Sequence, residues 1–311
     1  MARLVVIALK RSYAYHWLLA NAIERLSPVF VKKWQADHNP MKAKHVTGRG
    51  SIGVVVVGHH ALSLLHRCGV KPQDFPKSVY VAAAEPMSRN RNLRACQGFD
   101  VVISCQNDKA GLEAFRQVNP TARVIGSHLC AEETVFRPYP EPEKFDIGMV
   151  GTFRKADRKG RRSSYYWARK EWMDKLEAEG FSVLLRQGLY MENYARALCQ
   201  CKIGFHHSNR GWRKMKHYPP AMRIFETMAI GRMLLCDTFD LNGLRLKEGV
   251  HYVTFPPRDY KAMREKVRYY LAHPEERETI ALNGRAFVLK RHTYRHRAAL
   301  ILEQFGLSPK G

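Results

Sequence analysis

Met222-Arg223-Ile224-Phe225-Glu226-Thr227-Met228-Ala229-Ile230-Gly231 decides how this chain is read. It follows Pro219-Pro220 and ends on a glycine. Proline is pre-set for a first helical turn, and glycine fits the left-handed residue that closes a helix. The stretch therefore predicts a helix of about three turns between Pro220 and Gly231. Met222, Phe225 and Ala229 supply an apolar face, while Arg223 and Glu226, three apart, share a face near the start. Free N–H groups and the helix dipole favour an anion at that end. Arg223 would then hold a phosphate and Glu226 would accept two hydroxyls of a ribose. The plainer alternative is a surface Arg–Glu pair on a packed helix.

Working outward, strands are expected at 233–236 and 252–255 after this helix, followed by helices at 260–272, 274–290 and 294–305. Before it lie strands at 145–150, 181–185 and 202–206 and helices at 163–179 and 190–199. A proline-rich stretch, Phe136-Arg137-Pro138-Tyr139-Pro140-Glu141-Pro142-Glu143, suits a linker. Ahead of it the same alternation runs through apolar strands at 4–9, 53–57, 79–84, 100–104 and 122–125. Helices are expected at 12–26, from about 59 to 68, and at 108–117. Residues 32–51, polar and rich in Lys, His and Gly, read as a loop. Alternating strands and helices build parallel sheets. The expected fold is α/β: two Rossmann-like domains facing a cleft, with C-terminal helices packing back across. The domains are expected at 1–140 and 141–290, with a helix at 291–311 returning to the first domain.

Ligands of such sheets bind beyond the carboxyl ends of the strands. That selects the loops at 10–12, 59–60, 85–94 and 104–106 in the first half, and 151–162, 186–188, 206–218 and 237–243 in the second. Val150-Gly151-Thr152-Phe153-Arg154-Lys155-Ala156-Asp157-Arg158-Lys159 is the sharpest of these: a glycine turn followed by cations, between strand and helix. Its backbone amides, with Arg154 and Lys159, would hold a diphosphate. The chain has no G-x-G-x-x-G dinucleotide fingerprint and no P-loop signature.

At 311 residues with a hydrophobic fraction of 45%, the chain has apolar material for two cores. Lys+Arg 52 against Asp+Glu 28 leaves a net charge of +24, shared by both halves. That excess points to a polyanionic partner: nucleic acid, an anionic membrane surface or phosphorylated ligands. Seven cysteines in no regular framework, with one lone C-x-C at Cys199 and Cys201, suit reduced thiols in a cytoplasm. No secretory signal and no apolar run of membrane-spanning length is expected. Asp237 and Asp240 are too weak a pair to name as metal ligands.

The second half resembles the nucleotide-sugar-binding domain of GT-B glycosyltransferases, especially bacterial spore-maturation (CgeB-like) and group-1 relatives. The pieces that carry the resemblance are Phe136-Arg137-Pro138, Val150-Gly151-Thr152 with its cations, Arg223 through Gly231, and the tail from His273-Pro274 through His292-Thr293-Tyr294. It implies that Glu226 binds the nucleotide ribose, and that Arg223, or Arg154 and Lys159, contact the diphosphate. Many relatives carry a further Glu eight positions before the ribose Glu; here Tyr218 stands there, so Asn209, Arg210 or Tyr218 takes the sugar. The resemblance implies a metal-independent transferase, no cofactor, and a nucleotide diphosphate sugar as donor, a UDP-sugar first. An inverting mechanism needs a general base, for which His59, His60, Glu85 and His16 stand at first-half strand ends.

Basic residues interleaved with aromatics and amides form the acceptor candidates: Lys44 and Arg49; Arg89, Arg91 and Arg94; Arg210, Trp212 and Arg213. Such patches suit phosphate tracking plus stacking on a displaced base. The leading expectation is transfer to a hydroxymethylated base in DNA, as bacteriophage enzymes do, with the base flipped out. The alternatives are a lipid-linked or polysaccharide acceptor at an anionic membrane, and a non-catalytic nucleic-acid-binding protein on the same scaffold. No obligate protein partner is implied.

Overall fold

The apolar runs at 4–9 and 53–57 have no polar face to offer water, so each must be covered on two sides, as in a parallel sheet between helices. The computed structural model describes residues 3–8, 15–35, 51–82, 93–94, 96–105, 109–153, 164–207, 220–241 and 243–310. The two runs form β1 (Arg3–Ala8) and β3 (Ser51–Val57). With β2 (Phe30–Gln35), β4 (Ser78–Ala82), β5 (Val101–Ser104) and β6 (Arg123–Gly126) they make a sheet of order β2-β1-β3-β4-β5-β6. All its pairs are parallel. Helices α1 (Tyr15–Leu26), α2 (His59–Arg67) and α3 (Lys109–Val118) connect β1 to β2, β3 to β4 and β5 to β6. Val5, Ile7, Val54 and Val56 meet Leu62, Leu65, Tyr80, Phe99 and Phe115 in one core.

The expectation of a loop over 32–51 is corrected at its start. Residues 32–35 belong to β2, which pairs with β1 along its whole length. Phe30-Val31-Lys32-Lys33-Trp34-Gln35 lacks a continuous apolar run, and the sheet order explains why it needs none. β2 is an edge strand with one neighbour, where lysines are accepted and discourage further pairing. Residues 36–50 lie outside the described residues.

The chain forms two compact units: Met1–Leu129 with Tyr294–Gly311, and Cys130–Thr293. In the first, α9 (Tyr294–Glu303) lies on α1, with Tyr15 and Tyr294 ring centroids 5.3 Å apart. Arg297 of the same helix is buried and donates Nε to the His128 carbonyl at 2.6 Å. The proline-rich stretch at 136–143 belongs to the second unit. Aromatic anchors hold it there: Phe136 meets Tyr194 edge-on at 5.6 Å, and Tyr139 lies under both Arg137 and Arg196.

The second unit carries β7 (Phe145–Val150), α4 (Ser164–Ala178), β8 (Val183–Arg186), α5 (Met191–Cys199) and β9 (Cys201–His206). Then follow α6 (Met222–Ile230), β10 (Met233–Asp237), β11 (Val253–Phe255), α7 (Tyr260–Ala272) and α8 (Pro274–Arg291). Its parallel sheet has the order β11-β10-β9-β7-β8. β7 thus has β8 on one side and β9 on the other, so the winding reverses at its carboxyl end. Open α/β sheets hold their ligands at such a switch point. Helix α6 closes as the sequence predicts, on Gly231 at φ 82°, whose N–H bonds the Met228 carbonyl at 2.9 Å. Its start is Met222, two residues beyond Pro220. All seven cysteines are free, and all but Cys68 are buried.

Gly204 of β9 sets how close α6 comes to the sheet. A Cβ there would overlap Cγ2 of Thr227 in that helix. Gly204→Ala is therefore expected to overpack the contact and cost about 1–3 kcal/mol. A thermal melt reads this as a fall in Tm; an unchanged Tm would show that the contact has slack.

Candidate functional site

The site grows from the start of α6. Ala221 precedes the helix without a side-chain capping bond, so the first-turn amides are not spent on one. Arg223 donates Nε to the carbonyl of Val150, the last residue of β7, at 3.1 Å. Bonding through Nε leaves the Nη fork, the part that matches a phosphate, out of that contact. The guanidinium lies on Gly151: a Cβ at that residue would come within 3.0 Å of Arg223 Cζ. Glycine at 151 leaves room for the arginine to lie against the turn itself.

One helical turn on, Glu226 is only 7% exposed. Burial raises its carboxyl to about 7, against the opposing pull of the Arg223 charge. Tyr194 of α5 is buried beside the pair and hydrogen-bonded to Thr227; burial and the Glu226 charge push its phenol well up. The phenol therefore stays protonated. The arrangement places a carboxyl that titrates near neutrality one turn from a cation in the first turn of α6.

Two further groups brace the floor. Arg169 of α4 is 2% exposed and donates Nε to the His207 carbonyl at 2.7 Å and Nη1 to the Thr152 carbonyl at 3.0 Å. Gln187, after β8, accepts the Phe153 N–H on Oε1 at 3.0 Å. The His207 ring packs 4.5 Å from Trp172, with Phe205 and Phe255 stacked beyond. Burial, helped by the Arg169 charge, lowers its imidazole to about 3, so it is neutral.

Of the donor residues expected from sequence, the structure brings Arg223, Glu226, Gly151 and Thr152 to the switch point of the second sheet. Arg154, Lys159, Asn209 and Tyr218 lie outside the described residues, as do Glu85, Lys44, Arg49, Arg89, Arg91, Arg210, Trp212 and Arg213. Arg94 is described and exposed on a short helical turn. His59 and His60 open α2 straight after β3 and Gly58; their side chains are outside what is described. The His16 ring sits against Gly58, which has φ 83°, so it lies near the first sheet's own reversal between β1 and β3. Among the described residues no three His, Cys, Asp or Glu side chains gather.

Gln187 and His207 fall in the loops 186–188 and 206–218 that the strand ends select, though without an individual role; Arg169 and Tyr194 are not among the candidates read from sequence. Arg169 had a usable signal. It stands three, four and seven residues before Trp172, Met173 and Leu176, all buried, so it falls on the inward stripe of α4. A cation on that stripe calls for a partner.

Residues 142–303 match the glycosyl transferase-like family. The chain belongs to that family. No curated protein matches the sequence. Among solved structures, sucrose-phosphate synthase from Thermosynechococcus elongatus is 13% identical, with a TM-score of 0.66 over 98% of each chain. HepE of Anabaena, solved with UDP, is 14% identical with a TM-score of 0.62 over 98% of this chain and 100% of that one. An alpha-glucosyltransferase solved with UDP and a 13-mer DNA is 10% identical with a TM-score of 0.65, over 98% and 99%. At these identities the likeness is one of fold: the α/β architecture expected from the alternation of elements, and the GT-B fold that the resemblance implied. The family match covers the whole of the candidate site, from β7 to α8, and runs into α9.

Proposed function

We propose that this member of the glycosyl transferase-like family moves a sugar from a UDP-sugar to a hydroxyl on DNA, a hydroxymethylated base being the acceptor. The observation that carries the donor half is the Arg223–Glu226 pair at the switch point. Arg223 lies on a glycine turn and Glu226 is buried one turn behind it. Glu226 accepts the ribose hydroxyls. Arg223, the Gly151–Thr152 turn and the helix start face the diphosphate, with Arg154 and Lys159 as further cations. Negative charge grows on the leaving diphosphate, and donors fixed in advance stabilise it without reorganising. Tyr218 and Asn209 are assigned to the sugar. If the sugar inverts, His59, His60 or Glu85 takes the acceptor proton.

Two observations support DNA as acceptor: the net charge of +24 and the likeness of fold to an alpha-glucosyltransferase solved with DNA. Neutralising about six phosphates would make duplex affinity fall about 10³-fold between about 50 and 200 mM salt. The test is a thermal-shift panel of nucleotide sugars, followed by mass spectrometry of DNA carrying hydroxymethylated bases. The expected result is stabilisation by UDP-sugars and a mass gain of one sugar on the modified base. No response to any nucleotide sugar would sink the donor assignment. Transfer to polysaccharide or lipid-linked primers, with none to DNA, would sink the acceptor.

A further inference from the structure

We propose that Arg169 is a positioning residue for the donor diphosphate, spanning the switch point and fixing the turn on which Arg223 lies. This deepens the donor-site reading above and rests on it.

The ladder between β7 and β9 ends at Gly148–Gly204. Beyond that pair the two parallel strands run on without a paired register, to Val150 and to His206. Arg169 bridges this stretch, with one nitrogen on the carbonyl after β7 and another on the carbonyl after β9. Helix α4 reinforces the far bank three residues on, where Trp172 packs against the ring of the same His207. On the near bank Arg223 holds the Val150 carbonyl. Two guanidinium groups therefore grip the carbonyls at 150 and 152, on either side of Gly151.

Burying a cation is costly unless hydrogen bonds repay it, and an apolar side chain would pack the inner face of α4 without that cost. The planar fork of arginine can serve two carbonyls at once, which the compact ammonium of lysine cannot. With Arg169 gone, the turn after β7 would lose one of its two clamps. A shift of about 1 Å at a reacting group can cost about 10²-fold. The effect should be confined to the diphosphate end, because the ribose carboxylate Glu226 is carried by α6 and its close contact with Gly204.

The test compares uridine, which lacks the diphosphate, with UDP, by calorimetry on wild type, Arg169→Met and Arg169→Lys, with Tm taken on each sample. UDP affinity is expected to fall about 30-fold in the Met variant, the size of losing about one hydrogen bond to a charged group. Lysine, keeping the charge but not the fork, should lose about 10-fold. Uridine affinity should stay within about threefold of wild type in both, since uridine has no diphosphate for the turn to hold. If the Met variant does not fold, the Lys variant carries the comparison. Equal losses for UDP and uridine, or a lowered Tm with UDP affinity intact, would reduce Arg169 to packing and overturn the proposal. Wild type that binds neither ligand would remove the donor site itself, an outcome visible before any variant is made.

Discussion

Glu226→Ala is expected to weaken UDP-sugar binding about 100-fold, the loss of roughly two hydrogen bonds to a charged acceptor. The carboxyl does this work only when ionised, because ribose hydroxyls donate to it. Its value of about 7 then makes the affinity depend on pH. Below pH 7 the carboxyl must lose a proton before it can accept both hydroxyls, so affinity should fall up to about tenfold per pH unit. Above pH 7 it should be flat. Calorimetry with a UDP-sugar at several pH values reads this directly, and Glu226→Gln should abolish the slope. A slope that survives in the Gln variant would assign the titration elsewhere.

The same group leaves a mark on stability. Its carboxyl is raised in the folded chain, from 4.5 to about 7, so the folded state holds the proton more tightly than the unfolded state. That contribution is fully present below about pH 4.5 and is lost as pH rises through about 7. At pH 8 the ionised, buried carboxylate costs about 3 kcal/mol, an upper figure drawn from the size of the shift. Glu226→Gln should therefore melt higher than wild type at pH 8 and level with it near pH 4. A buried carboxyl that destabilises its own fold as it ionises near neutral pH shows the tension expected of a binding site.

Arg223→Met is expected to lower the catalytic rate about 10²–10³-fold, the range found when one fixed donor to a developing negative charge is removed. Two losses combine. The Nη fork no longer faces the leaving diphosphate, and the Val150 carbonyl loses its charged donor. Arg223→Lys should recover only part of the rate, because a compact ammonium lacks the fixed fork that reaches carbonyl and phosphate from separate nitrogens. Single-turnover transfer, with hydrolysis of the donor as a second readout, measures the change. A raised KM at unchanged kcat would instead make Arg223 a ground-state binder. Gly151→Ala offers a milder version, since its Cβ would press on the guanidinium at 3.0 Å without removing it.

The elements that could be read from sequence are those whose burial is two-sided. β1, β3, β4 and β10 are apolar through their centres, with Arg3, Ser51, Ser78 and Asp237 only at their ends, because both faces of the sheet are buried, and such runs admit few other readings. β2 escaped because an edge strand has no such demand, and its lysines matched a loop equally well. The Arg223–Glu226 pair stood out through its caps: Gly231 closes the helix and so fixes which face each residue takes. Arg169 did not, since one arginine among 52 Lys+Arg carries no mark of its own. Only its phase against Trp172 and Leu176 sets it apart, and that phase matters once the helix is known to face a sheet. His207 is marked in sequence only by its place at the end of a strand; its neutral, packed ring follows from Trp172 and Phe255, far away in sequence.

Residues 130–293 form one continuous insert within the first unit, and the ends of that insert lie together, Ala131 N–H bonding the His292 carbonyl at 3.0 Å. Chains are made from the N-terminus, and compact units fold as they emerge. The ribosome therefore delivers the whole second unit before the first unit receives α9, with the Tyr294 ring beside Tyr15 and the Arg297 clasp on His128. Helix α9 thus reaches α1 only after the second unit has been made, and α1 goes without that cover in the meantime.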